Sequence, residues 1–385
     1  MSENKCPVDF DYHGEALDTI FDRYKQLRSE CPVGYSDKYG GFWFLTRNDD
    51  IFAAEQDHQT FSVAPSMLLP NFGTETPLIP IDIDQPAHTA YRRILLPLFT
   101  PKAIEALTPR VVQVADDLAG AIDTSRVVDV SAAFARPLPT IIFSVLAGFP
   151  ETDWPKFDQW VDEIIYERVE KPEVAVKAAD QVFAYFDDLL AKRRAEEPRE
   201  DIIGYLLNAQ VDGKPLSHEE LLSYCYLLFL AGLDTTGWAI RSSLWWLAQH
   251  PVEQQQLRDD PAALPAAVEE FLRTLSPVQA MARTATQDVE VGGKQIKAGE
   301  RVVLAFGSGN RDEETYEKSD EVIIDREQNR HFAFGVGIHR CLGSNLGRRE
   351  VIVALRQFLT TLPPFSLAEP SEPWHGVGPL HVAFS

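Results

Sequence analysis

The chain has 385 residues, a formal net charge of −22 and 45% hydrophobic residues, which is the composition of a globular protein. Its acidity would repel phosphates, so nucleic acid and anionic membranes are disfavoured as main partners. A chain of this length buries enough surface to enclose a ligand cavity.

The chain's ends and cysteines indicate where the protein works. Residues 1–18 have no apolar run typical of a signal or transit peptide. The longest apolar stretch, residues 224–233, is shorter than the ~20 residues of a membrane span. Four widely spaced cysteines, at 6, 31, 225 and 341, are too few for a disulfide framework and predict a reducing compartment. We therefore expect a cytoplasmic protein without a membrane partner.

Helical periodicity predominates along the chain. It predicts helices over residues 16–29, 101–123, 180–197, 217–250, 265–275 and 346–361. Ser217 and Glu220 form a capping-box pattern at the start of the fourth helix. That helix is long enough to cross a whole domain.

Strand patterns are confined to two regions, about 35–60 and 284–305. Alternation around the glycine pairs at 40–41 and 292–293 predicts a hairpin in each region.

Residues 62–86 carry five prolines and little helical pattern, which predicts a functional loop, here called the substrate-access loop. No repeat or linker-like segment divides the chain. We therefore expect residues 1–385 to form a single domain that is mainly α with a small β region (α+β).

The most informative segment, residues 331–350, reads HFAFGVGIHRCLGSNLGRRE. Glycines surround Cys341, and a helical pattern resumes directly after it. Glycine lets the backbone approach the sulfur closely, and amide groups at a helix N-terminus favour a thiolate. A buried structural cysteine beside a glycine turn is the alternative. Zinc is disfavoured because His339 and Cys341 lack further paired ligands.

The pattern Phe334-Gly335-x-Gly337-x-His339-x-Cys341-x-Gly343 resembles the haem-ligand loop of the cytochrome P450 family. The resemblance implies a cytochrome P450 fold, with haem b between a long oxygen-activation helix and the helix after the cysteine loop. It implies that Cys341 is the axial thiolate ligand of the iron. It also places Phe334, Gly335, His339 and Gly343 around the cofactor.

Other segments resemble landmarks of the same family, in the same order. Glu270 and Arg273 match its Glu-x-x-Arg pair, which implies a structural role together with residues 329–330. The resemblance implies four donors to the haem propionates: His88, Arg92, Arg283 and His339.

Residues 230–238 of the long helix read LAGLDTTGW and resemble the family's oxygen-activation segment. Gly232 and a back-bond from Thr235 to a carbonyl are expected to open the helix and leave room for dioxygen. By the resemblance, Asp234 and Thr235 are the catalytic pair that supplies an acid and a hydroxyl for proton delivery.

The expected function is a monooxygenase that inserts one atom of O2 into a small or medium hydrophobic substrate: a terpenoid, an aromatic or a steroid-like compound. Electrons would come from an external ferredoxin with a separate reductase. A haem enzyme of another type (peroxide-driven, isomerase or dehydratase) is the alternative, which the intact Asp234–Thr235 pair disfavours. A non-catalytic haem-binding sensor is a third hypothesis.

The expected substrate pocket is mostly apolar, with candidates Leu227, Leu230, Ala231, Val278, Gln279 and Phe72. Gln279 is expected to be the polar group that faces the cavity. Because the wall is expected to carry almost no charge, a highly charged substrate is disfavoured.

A local basic patch is expected near the cysteine loop, on the side from which electrons reach the iron. It comprises Arg93, Lys102, Arg340, Arg348 and Arg349. Such a patch on an acidic protein would attract an acidic ferredoxin.

Overall fold

The computed structural model describes residues 6–13, 17–368 and 378–385. Helices predominate, which confirms the predicted class, mainly α with a small β region. The helices are α1 (Leu17–Glu30), α2 (Asn48–Gln56), α3 (Ala87–Leu95), α4 (Pro101–Gly120), α5 (Pro137–Ala147), α6 (Trp154–Val161), α7 (Pro172–Ala195), α8 (Ile202–Asn208), α9 (His218–Gln249), α10 (Pro251–Asp259), α11 (Leu264–Leu275), α12 (Phe306–Gly309) and α13 (Ser344–Thr361). Two single π-helical turns, Ser131–Ala135 and Asp162–Tyr166, precede α5 and follow α6.

The strands are short and form small sheets. They are β1 (Val33–Ser36), β2 (Phe42–Leu45), β3 (Phe61–Ser62), β4 (Val128–Asp129), β5 (Gln210–Val211), β6 (Lys214–Pro215), β7 (Met281–Ala285), β8 (Val289–Val291), β9 (Lys294–Ile296), β10 (Arg301–Leu304), β11 (Phe365–Leu367) and β12 (His381–Phe384). The largest sheet has the order β1-β2-β10-β7-β3, in which β2 and β10 run parallel. Both predicted hairpins are present, as β1–β2 and β8–β9.

The long helix α9 is the central element, and α5, α7, α11 and α13 all pack against it. Its predicted capping box is confirmed: the Ser217 hydroxyl accepts from the Glu220 amide at 3.1 Å, and the Glu220 carboxylate accepts from the Ser217 amide at 2.7 Å. Most of the helix is buried, which explains the rarity of charged residues along it. It therefore fixes the positions of whatever its middle turns carry.

Two elements differ from the prediction for identifiable physical reasons. Helix α5 lacks an amphipathic pattern because it is buried almost all round, so periodicity could not reveal it. Residues 48–56, expected within a β-rich region, form α2, whose inner face buries Ile51, Ala54 and Glu55. That helix brings Glu55 to the cysteine loop.

The structure contains one disulfide, which the spacing of the cysteines does not predict. The structure joins Cys6 to Cys31 in a disulfide, with their Cα atoms 6.4 Å apart. A bridge between Pro7 and Tyr35 brings the N-terminal segment beside the residue that follows α1, a pairing that sequence spacing does not reveal. The cysteines therefore no longer support a reducing compartment.

Among the helices of residues 6–13, 17–368 and 378–385, none is both long enough and apolar enough to cross a bilayer.

Candidate haem-thiolate site

The loop before α13 holds Cys341 in a fixed backbone frame. The Cys341 amide donates to the Phe334 carbonyl at 2.7 Å, and the Gly335 amide donates to the Phe332 carbonyl at 2.8 Å. Gly335 and Gly337 have φ of 61° and 71°, values that favour glycine. A Cβ on Gly337 would lie 2.6 Å from the Glu55 carbonyl oxygen, so the close approach to α2 also requires glycine.

The Cys341 thiol is accessible to solvent, but it lies in a recess with protein atoms on all sides. This burial raises the pKa of the Cys341 thiol, while the Gly343 amide and nearby guanidinium groups oppose the rise. The sulfur therefore faces an internal cleft and already has partners that favour its thiolate form.

Two histidines, one on α3 and one in this loop, have their rings in contact. The His88 and His339 rings lie 4.2 Å apart, and both Nε2 atoms are buried with no hydrogen-bond partner among the described residues. Burial and neighbouring cations lower the pKa of His88 to about 4 and that of His339 to about 3. An anionic acceptor beside the two rings would satisfy both nitrogens, so the pair suits a propionate-bearing cofactor.

The two arginines predicted for the propionates are held differently. Arg92 donates to the Arg340 carbonyl, and the Cys341 sulfur is the main group that supports its charge. Arg283 is buried and paired with Glu55, whose carboxylate also accepts from the Val336 amide at 3.1 Å. The structure thus groups the four predicted donors around His339, since His88, Arg283 and Arg92 all lower its pKa, and Arg283 is also held in an ion pair with Glu55.

The Glu270–Arg273 pair lies at the centre of a buried polar network. Arg273 donates to both Glu270 oxygens at 2.8 Å, and both side chains are fully buried. Arg326 and Asn329 donate to the same carboxylate at 3.0 Å. Arg273 also donates to the Asn310 carbonyl at 2.7 Å, so the pair links α11 to the chain before the cysteine loop.

The middle of α9 presents one polar face to the cleft. Ala231 is exposed within a helix that is otherwise packed, and Asp234 and Thr235 follow it on the same face. Thr235 donates to the Ala231 carbonyl at 3.2 Å, which is the expected back-bond, yet the helix continues without a break. A Cβ on Gly347 would lie 3.5 Å from Thr236 Oγ1, so α9 and α13 converge here.

Asp234 has a partner that the sequence did not indicate. Tyr166, at the end of a π-helical turn, donates its hydroxyl to Asp234 Oδ1 at 2.6 Å. Burial raises the pKa of Asp234, while Arg241 and the Tyr166 hydroxyl oppose the rise. The carboxyl can therefore hold a proton at a higher pH than an exposed aspartate.

Gly232 has a different role from the one expected. A Cβ at this position would lie 2.5 Å from the ring of Phe143 on α5. The glycine therefore permits close packing between α5 and α9, and the space that its missing side chain provides is filled by that ring.

The substrate-access loop is fastened to α9. Ser223 donates to the Pro77 carbonyl at 2.9 Å, and Tyr226 donates to the Phe72 carbonyl at 2.6 Å. The Asp82 carboxylate accepts from the Met67 and Leu78 amides at 2.8 and 3.0 Å. The loop is thus an ordered wall without regular secondary structure.

The predicted pocket residues divide into two groups. Leu227 and Leu230 are buried, while Ala231, Val278 and Phe72 keep some exposure. Gln279 turns its amide nitrogen back to the Leu275 and Ser276 carbonyls, at 3.0 and 2.7 Å. Its orientation toward the cavity stays a prediction.

A further buried acid, Glu350 on α13, escaped sequence reasoning. Its side chain is 2% exposed and Oε1 has no hydrogen-bond partner among the described residues. Burial raises the pKa of Glu350 well above its usual range, and the Thr236 hydroxyl opposes the rise. Tyr166 and Glu55 reach the site from distant elements, so no spacing in the chain could have indicated them, whereas Glu350 lies in the segment 331–350 but its burial depends on tertiary packing.

The residues described above determine which cofactor the site can hold. They comprise a thiol in a glycine-rich loop, two imidazole nitrogens that have no acceptor among the described residues, and an acid–hydroxyl pair on α9. This set fits an iron tetrapyrrole that carries carboxylates, which Cys341 would hold through its sulfur and His88, Arg92, Arg283 and His339 would hold through the carboxylates. The fold and the site therefore define a haem-thiolate protein.

Comparison with known proteins agrees. The cytochrome P450 family model matches residues 79–373. The chain is 35% identical to cytochrome P450 109 of Bacillus spizizenii, over 88% of this chain and 84% of that one. It is 34% identical to the mycinamicin IV hydroxylase/epoxidase of Micromonospora griseorubida, over 94% of this chain and 91% of that one. The chain belongs to the cytochrome P450 family.

Solved structures match over nearly the full length. The polyketide synthase cytochrome P450 PksS of Bacillus subtilis superimposes with a TM-score of 0.88 at 31% identity, over 98% of this chain and 100% of that one. CYP109E1 from Bacillus megaterium in complex with testosterone gives 0.86 at 30%, over 96% and 99%. As a family member, this protein is a monooxygenase that binds haem b through a cysteine thiolate.

Proposed function

We propose that this monooxygenase oxidises a medium-sized, mostly apolar organic compound with few charges, such as a terpenoid, an aromatic or a steroid-like molecule. The observation that carries the proposal is the exposed face of α9 in the cleft, where Ala231 adjoins Asp234 and Thr235. Apolar side chains beside this face supply dispersion and desolvation but little hydration for charge.

The relatives named above support this substrate class. One structural relative binds testosterone, and another, EryK, was solved with erythromycin B. A curated relative is a hydroxylase and epoxidase of mycinamicin IV. The steroid bound by one relative has the mostly apolar chemistry that we assign to the cleft.

The chain's own residues have distinct roles in the reaction. When bound, the haem supplies oxygen activation and insertion. Cys341 would hold the cofactor through its sulfur, and His88, Arg92, Arg283 and His339 would hold its carboxylates. Asp234 holds a proton on its carboxyl, and the Thr235 hydroxyl beside it passes protons to the oxygen under reduction. The access loop, fastened to α9 by Ser223 and Tyr226, limits water in the cleft.

A binding screen on the haem-loaded protein tests the substrate class. We expect testosterone or another steroid to shift the Soret band by displacing water from the cleft. The same compound should then give product with NADH and a surrogate ferredoxin and reductase. Tight binding confined to polyanionic compounds such as nucleotides would contradict the proposal.

We also propose an acidic ferredoxin as the electron donor, but on a smaller patch than the sequence predicts. Arg348 is paired with Glu269 at 2.5 Å, and Arg349 is paired with Glu105 at 2.8 Å. Arg93, Lys102 and Arg340 remain exposed. These three supply the field that would steer an acidic partner toward the cysteine loop. A cytoplasmic location stays a prediction.

Charge reversal at Lys102 tests whether ferredoxin docks on this patch. Lys102→Glu should raise the apparent ferredoxin KM about threefold or more at low salt, because the attraction that speeds association is reversed. The difference should shrink as salt rises. Lys177→Glu, an exposed change on α7, is the matched control and should have no effect. Equal KM values for Lys102→Glu and Lys177→Glu would contradict this docking face.

A further inference from the structure

Arg168 is a partly buried cation between the access loop and α7 that the reaction described so far does not use. Its guanidinium lies 4.9 Å from the centroid of the Phe72 ring. One terminal nitrogen, Nη1, donates to the Ile165 carbonyl of its own turn. Nε is buried with no hydrogen-bond partner among the described residues. The Nε and Nη2 edge is the one that a carboxylate chelates with two parallel bonds.

Acids on α6, on the turn before Arg168 and on α9 are already matched with other groups. Asp158 and Asp162 each pair with Arg136 at 2.7 Å. Asp234 accepts from Tyr166, and Arg241 is the main cation that lowers its pKa. In the parts of the chain that the structure describes, no carboxylate lies within salt-bridge distance of Arg168. Among the described residues its guanidinium is thus partly buried without an ionic partner.

The polar groups that act on Arg168 are mainly tyrosine hydroxyls. Tyr12, Tyr39 and Tyr166 contribute most to its electrostatic surroundings, ahead of Asp234. The Tyr12 and Tyr39 hydroxyls donate to the Leu69 carbonyl and to Asp11, so they are held by other acceptors. Burial lowers the pKa of Arg168, which means that its charged form would gain from an incoming anion.

The position of Arg168 connects it to the cleft. Phe72, which lies beneath the guanidinium, is fixed to α9 by the Tyr226 hydroxyl at 2.6 Å. Tyr226 precedes the exposed Ala231 by five residues. Arg168 also follows Tyr166, which reaches Asp234 directly. The cation therefore stands where the access loop, α9 and the turn before α7 meet.

We propose that Arg168 binds the carboxylate of the substrate, so that the substrate is an apolar monocarboxylic acid. This inference rests on the proposed function and narrows its substrate class. It also corrects the expectation that the pocket wall carries almost no charge. A single chelating edge suits one carboxylate, so polyanions remain disfavoured.

Matched pairs of ligands on the haem-loaded enzyme test the proposal. The probes are the straight-chain acids of eight, ten and twelve carbons and the alcohols of equal length. Binding is followed by the Soret shift and independently by calorimetry. At least one acid should bind about 10- to 100-fold more tightly than its alcohol, as expected for a charge-assisted hydrogen-bonded pair.

Variants then assign the difference to Arg168. Arg168→Gln should remove the preference for the acid and leave alcohol affinity unchanged. Arg168→Lys keeps the charge but loses the two-pronged edge, so its preference should be intermediate. Arg126→Gln, an exposed arginine paired with Asp123, is the control and should behave as wild type.

Three outcomes would overturn the inference: no acid preferred over its alcohol, Arg168→Gln without effect on acid affinity, or equal losses for acid and alcohol. If Arg168→Gln does not retain haem, the acid and alcohol affinities of Arg168→Lys are compared instead, and an undiminished preference for the acid would overturn the inference. Failure of the proposed function has a different signature, because the wild type would then yield no NADH-dependent product from any bound ligand. An active enzyme without acid preference would refute only the role of Arg168.

Discussion

Replacing Cys341 with alanine should abolish the red-shifted Soret band of the reduced carbon monoxide adduct, together with all product formation. Cys341 is the exposed thiol in the cleft, and the loop amides hold its backbone in a fixed frame. The band depends on the electron density that a thiolate gives to iron, which no other side chain of this loop supplies. Difference spectroscopy of the reduced variant with carbon monoxide is the measurement.

Cys225→Ala is the matched control. Cys225 is buried on α9, and burial raises the pKa of its thiol to about 12, so it is not available as a thiolate. This variant should retain the full band at any stability that allows purification. A Cys341→Ala protein that kept the band, or a Cys225→Ala protein that lost it while still folded, would refute the ligand assignment.

The sequence could predict the cysteine loop because its chemistry is local. Glycines at fixed intervals, one cysteine and a following helix all lie within twenty residues. The capping box of α9 is equally local, and the structure reproduces it. The same holds for the two hairpins, whose turns need glycine.

The contacts around that loop are long-range, and the sequence could not provide them. Glu55 reaches Arg283 and Val336 from α2, a helix expected to be β structure. Phe143 fills the space beside Gly232 from α5, a helix without amphipathic periodicity. Arg348 was expected in a free basic patch, but a glutamate 79 residues earlier neutralises it. In each case the partner is set by tertiary packing.

The proton-delivery pair on α9 should give the second large effect. Asp234→Asn removes the acid, and we expect product formation to fall about 100-fold, the usual contribution of general acid catalysis. Thr235→Ala should let NADH oxidation continue while product per NADH falls about tenfold and hydrogen peroxide accumulates. Both variants should keep the carbon monoxide band, since neither residue holds the cofactor. Product, NADH and peroxide are measured together under saturating substrate.

Unchanged product per NADH in Thr235→Ala would contradict the relay, and uncoupling in Thr236→Ala alone would move the role to that neighbouring hydroxyl.

Tyr166 gives an independent test of the role of Asp234 as the acid. Asp234 must hold a proton to act, so coupling should decline as pH rises through its raised pKa. Tyr166→Phe removes a hydrogen bond that stabilises the carboxylate, which raises the pKa of Asp234 further. The declining limb of the pH profile should therefore move to higher pH in Tyr166→Phe and disappear in Asp234→Asn, whereas a purely structural role for Tyr166 would lower activity equally at every pH.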